Sequence, residues 1–182
     1  MTDIELVKKY KSGDVKAFGE IFEKYSDRLY KFIYLKVSSQ NFAEDILSET
    51  FLKALSNLEK FNPKNEGSLK SWIYTIAYNL VKDFYRKHKE KVSIDEIFSI
   101  WIEENFGAQI DDKNKLEEVK EFLLNIKQEQ REILVMRIWN DLSYKEISEI
   151  TWKSVDNCKK IVSRVLKNIN ANLAIFLILM MI

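Results

Sequence analysis

Residues 68 to 87 read SLKSWIYTIAYNLVKDFYRK. The apolar positions Leu69, Trp72, Ile73, Ile76, Ala77, Leu80 and Phe84 recur three and four residues apart. That is the period of a helix with one face turned to a core. Ser68 stands where an N-cap hydroxyl is needed. Upstream, residues 61 to 67 (FNPKNEG) concentrate Pro63, Gly67 and two asparagines and predict a loop. The same period appears at Phe18, Ile21, Phe22, Tyr25, Leu29, Phe32 and Ile33, behind Asp14 as cap. It appears again at Ala43, Ile46, Leu47, Phe51, Ala54, Leu55 and Leu58, with Asn41 and Glu44 as an expected capping box. Three such helices bury their faces against one another as one bundle, expected over residues 1–90.

The composition agrees. Apolar residues make up 46% and charged residues 31% of 182 positions, which suits a globular chain. Gly occurs four times and Pro once, too rarely for the many turns of a β-sandwich or barrel, so the fold class is all-α. Beyond the bundle the pattern weakens. Ser93 opens a possible short helix through Trp101, and residues 105–114 (NFGAQIDDKN) resemble a linker, so residues 91–114 are expected to join two domains.

A second helical domain is expected over 115–172. Leu116, Val119, Phe122, Leu123 and Ile126 form one stripe, and Ile133, Leu134, Met136, Arg137 and Ile138 belong to the next helix. Ser143-Tyr144-Lys145-Glu146 is a capping box for a helix to about Ile150. After Thr151-Trp152-Lys153, Ser154 caps another with Val155, Cys158, Ile161, Val162, Val165 and Ile169 inward. A short helix, a three-residue connection and a capped helix make a helix-turn-helix candidate. The outer face carries Ser154, Asp156, Asn157, Lys159, Lys160, Ser163, Arg164 and Lys167, mixing phosphate-binding cations with groups able to read base edges.

Net charge is only +1, but basic residues cluster at 82–91 and 153–167, with an acidic stretch between. Two DNA-contacting surfaces fit this pattern, and so do two solvated helix faces. On the 68–87 helix, Tyr74, Tyr78 and Tyr85 are expected on a stripe away from the core, beside Thr75, Asn79, Lys82 and Arg86. Such a face suits stacking on unpaired bases, or packing against a neighbour. Glu44, Asp45, Ser48, Glu49 and Lys53 make an acidic face on the second helix, suited to a basic partner groove or simply to solvent.

Enzyme chemistry finds little support: no Gly-rich phosphate loop, no GxSxG and no HExxH is present. With one cysteine, Cys158, and one histidine, His88, no disulfide framework and no Cys/His metal site is expected, and no cofactor. His88 reads as a surface residue in a basic run and Cys158 as a small core residue. The start, Met1 to Glu5, lacks a basic and apolar leader, so a cytoplasmic chain is expected. Residues 173–182 (LAIFLILMMI) are ten apolar residues, about half of a membrane span, and are read as a buried terminal helix rather than a partner-docking or membrane segment.

The order of these features resembles the extracytoplasmic-function (ECF) group of the sigma-70 family. Residues 42–55 (FAEDILSETFLKAL) resemble its helix for the clamp of the polymerase's largest subunit. Residues 68–87, with Trp-Ile-x-x-Ile-Ala-x-Asn at 72–79, resemble its −10 and melting helix. Residues 129–166, with Gln-Arg-Glu at 130–132 and Leu-Ser-Tyr-Lys-Glu-Ile at 142–147, resemble its −35-reading domain. The resemblance implies an RNA polymerase sigma factor, monomeric when free, with core polymerase, promoter DNA and an anti-sigma factor as partners. It implies core binding by Glu44, Asp45, Ser48, Glu49 and Leu52. It implies −10 recognition and melting by Asn62, Lys64, Asn65, Trp72, Tyr74, Thr75, Tyr78, Asn79, Lys82, Asp83, Arg86 and Lys87, with the 61–67 loop catching a flipped base. The outer face of the last helix would read the −35 element. The chain departs from the family at the helix-turn-helix connection, where a small residue, often Gly, is usual and Trp152 stands, and where Thr151 replaces a usual apolar residue. Gly suits a left-handed position and a bulky residue strains it, so a rearranged turn or weakened −35 binding is expected. Two other readings fit the residues: a dimeric helix-turn-helix regulator of duplex DNA that never touches polymerase, and a helical interaction protein with solvated basic faces.

Overall fold

The computed structural model describes residues 1–37, 39–62, 67–87, 117–118, 121–122, 125–138 and 140–167. Lys64, Asn65, His88, the 91–114 linker, the Ser93 cap, Leu116, Val119, Leu123, Ile169 and the 173–182 tail lie outside them. The described residues form seven helices and no strand. The chain divides into two compact units, Met1–Val92 and Ser93–Ile182.

The first unit holds α1 (Asp3–Lys11), α2 (Lys16–Val37), α3 (Gln40–Asn57) and α4 (Leu69–Lys87). Helix α2 packs against each of the other three, and α4 also packs on α3. The expected stripe of α2 is largely buried at Ile21, Tyr25, Leu29, Phe32 and Ile33, but Phe18 is half-buried and Phe22 is 43% exposed. Asp14 starts α2 as expected, its carboxylate accepting from the Lys16 N–H at 3.1 Å. Helix α3 begins one residue before the expected Asn41, and its N-cap Ser39 makes no side-chain cap bond. Glu44 instead accepts from the Gln40 side-chain amide at 2.8 Å, one turn back along the helix, so the expected Asn41/Glu44 box does not form. Its buried positions are Ala43, Ile46, Thr50, Phe51 and Ala54, with Leu58 just beyond. Thr50 is tolerated in the core because its hydroxyl donates to the Ile46 carbonyl at 2.7 Å.

Helix α1 was not foreseen, although its signal is plain: Thr2 and Glu5 form a reciprocal capping box. Asp3 then accepts from Lys24 Nζ at 2.7 Å and from the Tyr25 hydroxyl at 2.6 Å, fixing α1 on α2.

The second unit holds α5 (Gln128–Ile138), α6 (Tyr144–Thr151) and α7 (Val155–Lys167), each packed on the other two. Helix α5 is buried over four consecutive residues, Ile133 to Met136, so its sides all meet protein. Arg137 is only half-buried, with its guanidinium 5.2 Å from the Tyr144 ring centre and bonded to the Leu142 carbonyl. The Ser143/Glu146 capping box of α6 forms as expected.

Candidate polymerase and nucleic-acid interfaces

On α3, Glu44, Asp45, Ser48, Glu49 and Leu52 are all exposed, Leu52 at 63%. They follow the helical period along the side opposite Ala43, Phe51 and Ala54. Glu49 is held by Lys53 one turn on, at 3.0 Å. Exposed pairs of this kind contribute at most about 1 kcal/mol, so the carboxylate stays available to a competing cation. A cleft of about 250 Å³ separates this edge of α3 from α4. Phe42, Ile46, Leu80 and Phe84 supply its apolar part, and Asp45, Glu49, Lys53, Asp83 and Lys87 its charged rim. Phe42 and Phe84 meet ring to ring at 4.9 Å. The α3 carboxylates and the last turns of α4 therefore border one depression. Phe42 and Lys53 belong to it, and neither is among the contact residues that the resemblance implies.

On α4 the expected tyrosine stripe needs correction. Tyr74 is 0% exposed and meets Phe32 of α2 edge-on at 5.1 Å. It is a core residue and offers no face for stacking on a base. The reason is that α4 contacts both α2 and α3, so two stripes of its surface are covered: Leu69, Ile73, Leu80 and Phe84 on one, and Tyr74 and Val81 on the next. Tyr78 is half-buried, with Lys82 Nζ 4.5 Å and Lys36 Nζ 5.4 Å from its ring centre. Tyr85 is also half-buried, and its hydroxyl donates to the Lys36 carbonyl. Lys36 was missed by the sequence reading. It is buried at the end of α2, and its ammonium also lies 5.1 Å from the Phe32 ring. Its spacing of four from Phe32 and its place in the last helical turn were the available signals.

The rest of α4 matches expectation more closely. Asn79, Lys82, Arg86 and Lys87 are exposed. Asp83 is half-buried and pairs with Arg86 at 2.9 Å. Thr75 is half-buried, with its hydroxyl donating to the Ser71 carbonyl at 2.8 Å. Ser68 caps the helix by accepting from the Ser71 N–H at 3.0 Å. Trp72 is half-buried rather than a core residue, and its ring lies 4.9 Å from Phe61. Phe61, itself buried, also has its carbonyl held by Lys11 Nζ at 2.8 Å. The start of the 61–67 segment is thus fixed by α1 and α4 together. Asn62, next along, is exposed.

On α7 the division is clean. Cys158, Ile161, Val162 and Val165 are buried, and Ser154, Asp156, Asn157, Lys159, Lys160, Ser163, Arg164 and Lys167 are all exposed. Val155, expected inward, is half-buried in the first turn. Ser154 accepts from the Asn157 N–H at 3.2 Å, as its cap role requires. Burial pushes the Cys158 thiol pKa above its ordinary value, against a smaller opposing effect of its hydrogen bond with Thr151. A thiol held protonated is a packing group rather than a nucleophile. The connection is not rearranged. Trp152 itself takes the left-handed conformation, φ 60° and ψ 26°.

Two family models match the chain: Sigma-70 region 2 over residues 21–91, and Sigma-70, region 4 over residues 116–169. The chain is 32% identical over 139 residues to the RNA polymerase sigma factor SigV of Bacillus subtilis, covering 76% of this chain and 80% of that one. It is 27% identical over 171 residues to the ECF RNA polymerase sigma factor BldN of Streptomyces coelicolor, which covers 91% of this chain, while the match spans 64% of BldN. Its fold is shared with the sigma factor RpoE solved in complex with the anti-sigma factor NepR from Bartonella quintana: TM-score 0.58, 24% identity, 83% of this chain and 92% of that one. The region 2 match takes in α3, α4 and all but the first turn of α2, and the region 4 match takes in α5, α6 and α7, in that order. The chain therefore belongs to the sigma-70 family of RNA polymerase sigma factors, in its extracytoplasmic-function group.

Proposed function

We propose that this sigma factor binds core RNA polymerase through α3, reads the −10 element and stabilises its opened strand with α4 and the adjoining 61–67 segment, and reads the −35 element with α7. The observation that carries this reading is the co-occurrence of both matched regions with three separately exposed helix faces of suitable chemistry. Asp45, Glu49 and Leu52 supply an acidic and apolar edge for a clamp surface. Asn79, Lys82, Arg86 and Lys87 supply a cationic ridge on α4, with Tyr78 beneath Lys82 as its aromatic support. Lys159, Lys160, Arg164 and Lys167 supply the phosphate-binding and groove-facing side of α7.

The mechanism is differential binding, without a covalent step. Contacts made only with the unpaired strand shift the equilibrium between closed and open promoter by their free energy, and contacts made equally with both states shift nothing. Tyr74 has no direct part in this; its ring packs α4 on α2 through Phe32. The 61–67 segment, with Asn62, Lys64 and Asn65, would receive the flipped base. We propose domains at 1–90 and 115–172 with 91–114 as their linker, a division that the two compact units, Met1–Val92 and Ser93–Ile182, support in its coarse form. An anti-sigma factor is a further partner, of the kind with which RpoE of Bartonella quintana was solved in complex.

The test is co-purification with bacterial core polymerase, wild type beside Asp45→Arg/Glu49→Arg, followed by transcription from a promoter library. The double variant is expected to lose core binding by at least tenfold while keeping its thermal unfolding midpoint. Wild-type transcripts are expected to start downstream of a shared two-part element. A folded wild-type chain that binds duplex DNA but not core polymerase favours the simple regulator instead.

A further inference from the structure

Trp152 is the feature that the fold does not explain. It takes φ 60°, and Asp141 is the only other described non-glycine residue with positive φ. Aspartate tolerates that region because its short side chain bonds locally, and a bulky aromatic does not. The Trp152 side chain offers no compensation by packing, since the residue is 77% exposed. Backbone strain and an indole left in water both act against folding at one position.

The surroundings hold it there. On one side, the Thr151 hydroxyl donates to the Ile147 carbonyl at 2.7 Å. On the other, the Ser148 hydroxyl reaches across the turn to the Lys153 carbonyl at 2.5 Å, and Lys153 Nζ forms an ion pair with Glu129 of α5. Ser154 then caps α7. A strained residue over-determined by its neighbours and turned into solvent is what a contact site presents. The place is informative as well. Trp152 lies two residues ahead of the N-cap of α7, and in a helix-turn-helix the N-terminal end of the second helix enters the major groove. The nearest exposed side chains along that helix face are Asp156, Asn157, Lys159 and Lys160.

We propose that Trp152 is a DNA-contact residue flanking the −35 helix, with its indole N–H donating to a backbone phosphate and its ring lying against the adjoining deoxyribose. This rests on the reading of α7 as the −35 helix. The chemistry fits a phosphodiester, and the place beside the −35 helix favours it over a protein surface. The indole nitrogen is a donor only, phosphate oxygens are acceptors only, and the ring is apolar like a sugar edge. The contact also carries a signature. A neutral donor releases no counterion, so its loss weakens binding without altering the salt dependence, whereas loss of a lysine reduces the slope by about one.

The experiment uses the full chain reconstituted with core polymerase, on a duplex promoter that the wild-type complex selects from a random library. Wild type, Trp152→Gly, Trp152→Phe and Lys160→Ala are titrated across a salt series, with core binding and thermal unfolding measured on the same preparations. Trp152→Gly is expected to raise the unfolding midpoint by several degrees, because glycine accepts the left-handed turn. It is expected to lower promoter affinity about tenfold with an unchanged salt slope and unchanged core binding. Trp152→Phe, which keeps a ring without the donor, falls between. Lys160→Ala lowers both affinity and slope. A Trp152→Gly protein that is more stable and binds the promoter as wild type does would overturn the proposal, leaving only a strained turn. Reduced core binding with intact promoter contact in the assembled complex also overturns it, moving the contact to protein. If the wild-type complex binds no promoter, the −35 reading fails first, and that is visible before any variant is compared.

Discussion

Helices α4 and α7 carry similar patterns, and the structure treats them differently. Helix α7 buries one stripe and leaves every polar position of its outer face in solvent. Helix α4 buries two adjacent stripes, because α2 and α3 cover neighbouring parts of its circumference, and its aromatic residues are drawn in. A helical period identifies the centre of a buried face, but the width of that face is set by how many neighbours share it. On a narrow face a tyrosine beside the stripe is exposed. On a wide one it becomes core, and the cations alongside stand on the rings: Lys82 over Tyr78, and Lys36 between Tyr78 and Phe32.

The sharpest way to break this comparison is to truncate the two tyrosines separately. Tyr74→Ala removes a fully buried ring and is expected to cost about 3–5 kcal/mol of stability in urea unfolding. Tyr78→Ala is expected to cost clearly less, about 1.5 kcal/mol, since its ring is only half-buried and its cations, Lys82 and Lys36, lie at its face. Equal costs would show that the two rings share one environment. A smaller effect is expected in the helix-turn-helix unit, where Ser143→Ala opens the α6 capping box. That change should cost about 1 kcal/mol, measurable as a lower thermal midpoint, and Ser143→Asp should largely restore it.

The smallest effect concerns pH. Glu5 is held below the usual carboxylate range, first by the Thr2 backbone N–H and then by its hydroxyl. A lowered folded pKa means stabilisation that is present above the ordinary glutamate value and is lost as pH falls through the lowered one. The amides of the first turn of α1 should therefore exchange faster below about pH 4 than their intrinsic rates account for. Glu5→Gln should remove most of that pH dependence.

Much of this was legible in the residues. The Ser68 cap, the Ser143/Glu146 box and the Ser154 cap are local signals that local hydrogen bonds fulfil, and the apolar stripe of α7 is buried as its period requires. The exposed faces of α3 and α7 followed from the same periods. What escaped the reading was set by distant neighbours. Tyr74 is buried by Phe32, and Phe61 is held by Lys11, fifty positions away. Helix α1 escaped for another reason, since Thr2 and Glu5 announce it but only two of its nine residues are buried. At Trp152 the residue type conflicts with the turn, and the backbone still keeps the left-handed conformation that glycine favours.

The single cysteine has a practical side. Cys158 is sealed on the inner face of α7, with its thiol kept protonated by burial. An electrophile or oxidant can reach that sulfur only when α7 leaves α5 and α6. Alkylation in the native protein therefore proceeds at a rate set by the fraction of time the helix spends open, when closing is faster than the reagent. In a cell, the same arrangement makes oxidation at this position a record of unfolding in the C-terminal unit rather than a signal received by the folded one.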